Sequence, residues 1–378
     1  MFKILIIDDD IAVQILLKRM LEKEGYEVIA VSNGKYGIEQ AMIFPPAMII
    51  CDWMMPGLTG IDVCRYIKNS PYLSTTFFIL LTSLGSTADR VKGLDAGADD
   101  FITKPIENNE LRARVRAGLR LHQLSQDLQN QKQLLEKELA EAADYVMSLL
   151  PMPMTSPLDI DFRFIPSRQL GGDCFDYYWL DSEYLAIYLL DTAGHGLRAT
   201  LLSISVFNLL RARALKGLNY YQPSEVLKAL NETFPMNDQN DKYFTIWYGV
   251  YHLPQRKLTY ASAGHPPAIL VPEDRNYHPV IHKLRTPGMP IGMFLEANYT
   301  DSTCEVEKNS SLYIFSDGAY EITKADGEIW GLDTFVQTLI NVSKTPNYQL
   351  EQIVKILIHS HSQPSFEDDL SILKIQFY

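Results

Sequence analysis

The sequence predicts two fold classes in series: an α/β doubly wound parallel sheet over residues 1–121, and an α+β layered domain of two sheets flanked by helices over residues 151–378, joined by a helical linker over residues 122–150. Three observations carry this. Short apolar runs alternate five times with longer amphipathic stretches in the first third, the rhythm of a parallel sheet. A stretch with no Gly or Pro follows, rich in Gln, Glu and Lys. After it, strand-length runs come in groups with helical segments between the groups, as in antiparallel layered domains. A chain of 378 residues also exceeds one ordinary core.

The elements justify themselves in order. KILII, EVIAV, MIIC, FFILLT and DFIT are rich in Ile, Val and Phe and of strand length. Between them Ile15, Leu16, Met20 and Leu21, or Ile61, Cys64 and Ile67, recur at helical spacing. In the linker, Leu121, Leu124, Leu128, Leu135, Leu139, Ala142, Val146 and Leu149 follow in steps of three, four or seven, one stripe of about four heptads. The stripe suits either packing on its own domain or pairing with a second copy; the opposite face is so polar that the second, a homodimer, is expected, and Pro151 and Pro153 end the helix. Beyond it, YLAIYLLD, FTIWYGVYHL, KLTYASAG, AILVP, SLYIFSD and LSILKIQF read as strands. Helices are expected near 195–215, 223–234, 332–343 and 347–361.

Composition narrows the function classes. Hydrophobic residues make up 47% and charged residues 21%, a globular balance rather than a disordered one. A formal net charge of -12, without a basic recognition helix, argues against nucleic acid and anionic membrane as partners. Cys51, Cys64, Cys174 and Cys304 show no metal-ligand spacing and read as reduced thiols. MFKILII is too short for a signal peptide, and no run reaches the ~18 apolar residues of a membrane span, so a cytoplasmic protein is expected.

Acidic residues end apolar runs in two separate sets. In the first, Asp8 and Asp9 follow strand one and Asp52 follows strand three; in a parallel sheet both turns open at the ligand-binding end. These carboxylates suit one Mg²⁺, with the Met54 carbonyl as a further ligand. Lys104 supplies a point charge and Thr82 a hydroxyl to phosphoryl oxygens, so in-line transfer to Asp52 needs little besides positioning. The acidic pair, D-x-x-M-P-G from Asp52 to Gly57, the Thr82-Ser83 step, the GADDF run and Lys104-Pro105 together resemble the receiver domain of bacterial response regulators, a flavodoxin-like fold, over residues 1–121. The resemblance implies that Asp52 accepts phosphate from a histidine kinase. It implies too that Thr82 then moves inward and lets Phe101 bury; Phe101 has no hydroxyl to hold the outward state, so a soft switch is expected.

The second set is Asp173, Asp191, Asp317 and Asp368, each beside a strand end and near Gly171-Gly172, Gly194 or Gly318. Phosphomonoester hydrolysis needs a strong catalyst, and two divalent cations about 3.5–4 Å apart clamp a phosphate for in-line attack by water. An all-oxygen donor set favours Mg²⁺ or Mn²⁺ over Zn²⁺. RQLGGDCFDYY, LLDTAGHGLRATLLS, LTYASAGHPPAIL, TPGMPIGM, LYIFSDGAYEI, GEIWG and EDDLSIL resemble the metal-dependent protein phosphatases, in the branch of the sporulation and general-stress enzymes, over about residues 145–378. By that resemblance Asp191 bridges two Mn²⁺ or Mg²⁺ ions, the Thr192 carbonyl binds one, and Asp173, Asp317 and Asp368 complete the shell. The sequence departs from the pattern at Cys174-Phe175 and Thr192-Ala193, without loss of a ligand.

Other residues carry weaker expectations. Asp176 and Glu321 read either as orienting groups behind the metal ligands or as surface acids, and Asp369 as a neighbour pointing away. His195 as a proton donor, His265 in catalysis and Arg168 on phosphate are all less favoured than structural roles. Arg112, Arg114, Arg116 and Arg120 suit a solvated helix face or ion pairs across a dimer. The whole reads as a response regulator whose output dephosphorylates Ser or Thr on a partner, by resemblance an anti-sigma-factor antagonist. The alternative is a non-catalytic adaptor that uses the phosphatase fold to bind a partner.

Overall fold

In a computed structural model of the chain, which describes residues 1–83, 87–236, 242–272, 281–324, 327–343, 350–361 and 366–378, the five N-terminal apolar runs pair as one parallel sheet. The strands are β1 (Lys3–Ile7), β2 (Glu27–Val31), β3 (Met48–Asp52), β4 (Phe77–Thr82) and β5 (Asp100–Thr103), in the order β2-β1-β3-β4-β5. Between them run α1 (Ile11–Lys23), α2 (Gly34–Ile43), α3 (Gly60–Asn69) and α4 (Thr87–Asp95). Local sequence sets the helix starts: Asp10 and Asn33 cap α1 and α2, and Thr59 with Asp62 forms a capping box on α3. Core residues lie on both faces of the sheet, Ile4, Ile6 and Ile79 on one and Leu5, Ile49 and Leu80 on the other. Burial on both faces is why these strands are continuous apolar runs.

One helix, α5, spans Asn108–Leu149 and joins the last helix of the first sheet to the expected linker without a break. Its first turns are buried through Leu111, Val115, Leu119 and His122, whose ring meets the Thr75 carbonyl at 2.7 Å. From Gln123 to Glu138 every side chain is exposed, leucines included. The chain divides into two compact units, Met1–Lys137 and Glu138–Tyr378.

The second unit holds two five-stranded antiparallel sheets. One has the order β13-β10-β9-β8-β7, from β7 (Cys174–Trp179), β8 (Tyr184–Thr192), β9 (Phe244–His252), β10 (Lys257–Ala263) and β13 (Ser302–Glu305). The other has the order β12-β11-β14-β15-β6, from β6 (Asp159–Ile165), β11 (Ala268–Val271), β12 (His282–Leu284), β14 (Ser311–Phe315) and β15 (Leu370–Gln376). Phe175 packs on Phe162, the Trp247 indole donates to the Leu284 carbonyl, and Tyr251 meets Phe377, so the two sheets share a core. Helices α6 (Leu197–Arg211) and α7 (Pro223–Thr233) cover the first sheet, and α8 (Leu332–Ser343) and α9 (Leu350–Ser360) the second, through Tyr313, Phe315, Phe335 and Leu357. Sequence reading did not anticipate β6, β7, β12 and β13. Residues 347–349 of the expected fourth helix lie outside the described residues. Among the described residues no helix is long and apolar enough to cross a membrane.

Candidate functional site

In the first unit, β1 and β3 end side by side, Ile7 opposite Cys51, so the residues that follow them converge. Asp8 is fully buried, Asp52 nearly so, and Asp9 exposed; their carboxylate oxygens lie within 4.8 Å of one another. The Lys104 ammonium, just beyond β5, stands 2.9 Å from Asp8 and 3.1 Å from Asp52. Burial raises the Asp52 pKa above the ordinary carboxylate value, with Lys104 pulling the other way. Burial pulls Lys104 down, yet its hydrogen bonds to Asp8 and Asp52 outweigh that and hold it above its ordinary value. Three oxygens with one counter-cation fit a hard divalent ion.

The remaining receiver candidates surround this cluster. Thr82 ends β4, buried, with its carbonyl taking the Lys104 N–H at 2.8 Å. Met54 lies two residues past Asp52, its side chain exposed. Phe101 is half-buried against the core that includes Trp53 and Leu80. A Cβ on Gly93 would sit 2.6 Å from its ring, so α4 approaches the aromatic as closely as glycine allows. Arg114 is committed within its own unit, to Asp100 at 2.6 Å and Glu110 at 2.8 Å, and Arg112 pairs with Glu24.

The second set is assembled from both sheets. Asp191 stands near the end of β8, Asp173 just before β7, Asp317 just after β14 and Asp368 just before β15. Among the described residues no three of these acids cluster as tightly as Asp8, Asp9 and Asp52. Asp191 is the centre: Asp173 is within hydrogen-bonding reach, and the charges of Asp317, Asp368 and Asp369 act on it. Burial first, then like charges, pushes Asp173 and Asp191 well above the carboxylate range: Asp191 and Asp369 act on Asp173, and Asp317, Asp368 and Asp369 on Asp191. Asp317 is raised to about 6 by burial, Asp368 and Glu321, and Asp368, though exposed to solvent, is raised by partial desolvation and by Asp369. Carboxylates held this close without a cation retain protons. Gly172 closes the loop against this centre: a Cβ there would lie 2.8 Å from the Thr192 carbonyl and 2.9 Å from that of Gly194.

Asp369 corrects an expectation. Its side chain is buried and faces in, accepting from the Ser167 N–H at 2.7 Å, the Ser167 hydroxyl at 3.1 Å and the Gly172 N–H. It ties the Gly171–Asp173 loop to β15, while Asp368 beside it is exposed. Asp176 is fully buried rather than a surface acid; its ion pair is to Arg211 at the far end of α6. Glu321 is exposed, its N–H donating to the Asp317 carbonyl at 2.8 Å. His265 is buried with Nδ1 on the Pro266 carbonyl, and burial lowers its pKa to about 4. His195 is exposed on the Gly194–Gly196 turn and Arg168 is exposed before Gly171. Sequence reading missed Ser371 and Ser316, both fully buried among these acids; period-two alternation along the EDDLSIL run, which sets Ser371 on the side of Asp369, is the signal that finds Ser371, and Ser316, just beyond β14, has none.

Comparison with known proteins agrees with this division. The family model described as Stage II sporulation protein E (SpoIIE) matches residues 181–378, and the response regulator receiver domain model matches residues 4–116. The phosphate regulon transcriptional regulatory protein PhoB of Rhizobium meliloti is 40% identical over 118 residues, 31% of this chain and 52% of that protein. The alkaline phosphatase synthesis transcriptional regulatory protein PhoP of Bacillus subtilis is 37% identical over 123 residues, 32% of this chain and 50% of that protein. The chain spans about half the length of the curated relatives it matches. Among solved structures, the SiaA-PP2C domain of Pseudomonas aeruginosa superposes with a TM-score of 0.57 at 18% identity, covering 65% of this chain and 98% of that one, a likeness of fold.

Proposed function

The chain belongs to the family of Stage II sporulation protein E and carries an N-terminal receiver domain, and from that premise we propose a two-component response regulator in which phosphorylation of Asp52 controls a metal-dependent protein phosphatase. The observation that carries the reading is Asp191, half-buried near the end of β8, with Asp173 of its own sheet within hydrogen-bonding reach and the charges of Asp317, Asp368 and Asp369 acting on it from the other sheet. In the receiver (1–121), Asp8, Asp9, Asp52 and the Met54 carbonyl hold Mg²⁺, while Lys104 and Thr82 take the phosphoryl oxygens passed from a histidine kinase. In the output domain (151–378), Asp173, Asp191, the Thr192 carbonyl, Asp317 and Asp368 hold two Mn²⁺ or Mg²⁺. When bound, these ions supply Lewis acidity and offset the charge of the phosphate. The protein itself orients the ligands: Asp369 fixes the Gly171–Asp173 loop, and the hydroxyls of Thr192 and Ser203, 2.9 Å apart, lock the end of β8 to α6.

The substrate is phosphoserine or phosphothreonine on a partner protein, in keeping with the sporulation branch an anti-sigma-factor antagonist. The protein works in the cytoplasm as a homodimer paired through the 122–150 helix. The adaptor reading is disfavoured because loss of catalysis relaxes the need for Asp173, Asp191, Asp317 and Asp368, and all four stand at the site. Mn²⁺-dependent phosphate release from p-nitrophenyl phosphate tests the enzyme, with Asp191→Ala as the inactive comparison; equal rates return the adaptor. Beryllium fluoride, an acyl phosphate mimic, tests control. It should change the rate of wild type but not of Asp52→Ala, and an identical response in both removes the receiver from the mechanism.

A further inference from the structure

We infer that Ser371 is a positioning residue for the phosphatase centre: its hydroxyl fixes the Asp173 carboxylate before any cation arrives. The inference rests on the reading of Asp173 as a metal ligand. Asp173 is 4% exposed, and a buried carboxylate without a hydrogen-bond donor is costly. Its own loop does not supply one, because the Gly172 N–H is taken by Asp369, with the Asp173 N–H directed there at 3.4 Å. The donor comes from the other sheet: Ser371 Oγ donates to Asp173 Oδ2 at 2.5 Å.

A second hydroxyl, Ser316, also lies within reach of Asp173. Its one hydrogen is engaged, since Ser316 Oγ donates to the Asp369 carbonyl at 2.9 Å while accepting the Ser371 N–H at 3.0 Å. A serine hydroxyl has a single proton to give, so the bond to Asp173 belongs to Ser371. The Ser316 N–H in turn donates to the Ser371 carbonyl at 3.1 Å. Ser371 is thereby clamped from the backbone by the residue that precedes Asp317. Residues two apart on a strand share a face, so β15 sends Asp369 to the backbone of the Gly171–Asp173 loop and Ser371 to its carboxylate. The Ser371 hydroxyl thus ties β15 to the ligand before β7, and the Ser371 backbone ties β15 to the end of β14, so ligands from opposite sheets are joined through one residue.

The consequence is preorganisation. With one oxygen of Asp173 held by Ser371, its rotamer is set and the cation need not order it. Removing a partner of this kind from behind a metal ligand typically weakens affinity 10–100-fold. The test is calorimetric titration of MnCl₂ into the full-length chain, with Asp191→Ala giving the receiver background. Ser371→Ala should bind Mn²⁺ about 10–100-fold more weakly at the phosphatase centre and need correspondingly more Mn²⁺ for half-maximal rate, with the rate at saturating Mn²⁺ close to wild type. Ser371→Thr, which keeps the hydroxyl on a strand that favours β-branched residues, should restore affinity. Wild-type affinity in Ser371→Ala overturns the inference alone, as does an equal loss in Ser371→Thr. A wild-type protein with no Mn²⁺ binding above the Asp191→Ala background overturns the metal-site reading itself, and the inference with it.

Discussion

The Lys104 ammonium lies 3.1 Å from the Asp52 carboxylate, the one cation among the described residues that bonds both Asp52 and the fully buried Asp8. Burial and the Asp8 charge raise the Asp52 pKa, and Lys104 opposes both. Lys104→Met removes only the opposing influence. The carboxyl carbon of Asp52 should therefore titrate at higher pH than in wild type, read by ¹³C NMR without added metal, and beryllium fluoride should lose its effect on phosphatase rate. An unchanged titration would show that solvent already screens the pair.

Asp368 and Asp369 are neighbours with opposite duties, and substitution should separate them. Asp369→Ala leaves the Ser167 and Gly172 N–H groups without their buried acceptor, at a cost of about 2–4 kcal/mol. Asp368→Ala removes an exposed charge from a crowd of like charges and should leave metal-free stability unchanged or slightly raised. Urea unfolding in EDTA distinguishes the two. A stable Asp369→Ala protein would mean that the loop is held by something other than that carboxylate.

How much of this was legible in the sequence follows from where each strand sits. The receiver strands are buried on both faces, so each is an unbroken apolar word. The strands β6 and β7 were not read because Asp161, Arg163 and Asp176 interrupt them; those polar residues pair with one another or with Arg211 at the margins of the sheets. The strands β12 and β13 are too short, at 3 and 4 residues, to show a period. Ligand-type acids were visible because glycine and strand ends surround them. The direction of Asp369 was not, because adjacent aspartates differ only in pleat phase, which pairing with a distant strand decides.

The acidic centre should make the metal-free protein less stable as pH rises. Asp317 titrates near 6 in the folded state, raised by burial, Asp368 and Glu321, against about 4 in an unfolded chain. Between those values the folded state binds more protons than the unfolded state, so stability falls with increasing pH. Asp173, Asp191 and Asp368 are raised as well and act in the same direction. Scanning calorimetry in EDTA should give the phosphatase unit a higher Tm at pH 5 than at pH 7.5, with Mn²⁺ recovering the loss at pH 7.5. Asp317→Asn should flatten part of the slope. A Tm that climbs from pH 5 to 7.5 without metal contradicts the clustering.

The linker helix sets the last expectation. Leu121, Leu124, Leu128 and Leu135 are 53–69% exposed on a helix whose other positions are mostly Gln, Glu and Lys. From Leu121 to Leu135 the exposed stripe runs for roughly 21 Å at ~1.5 Å per residue, while Leu149 packs on the core of the second unit. A stripe of that length covered by a matching helix removes enough apolar surface to hold two copies together, whereas a lone helix in water gains little from it. Leu128→Glu with Leu135→Glu places like charges in the seam. Light scattering after size exclusion should then report one chain where wild type reports two. The Mn²⁺-dependent rate on p-nitrophenyl phosphate should persist, since neither leucine belongs to the unit that carries Asp173, Asp191, Asp317 and Asp368, but its response to beryllium fluoride should vanish. A double variant that remains dimeric places the contact elsewhere, and a monomer that still responds frees receiver control from pairing.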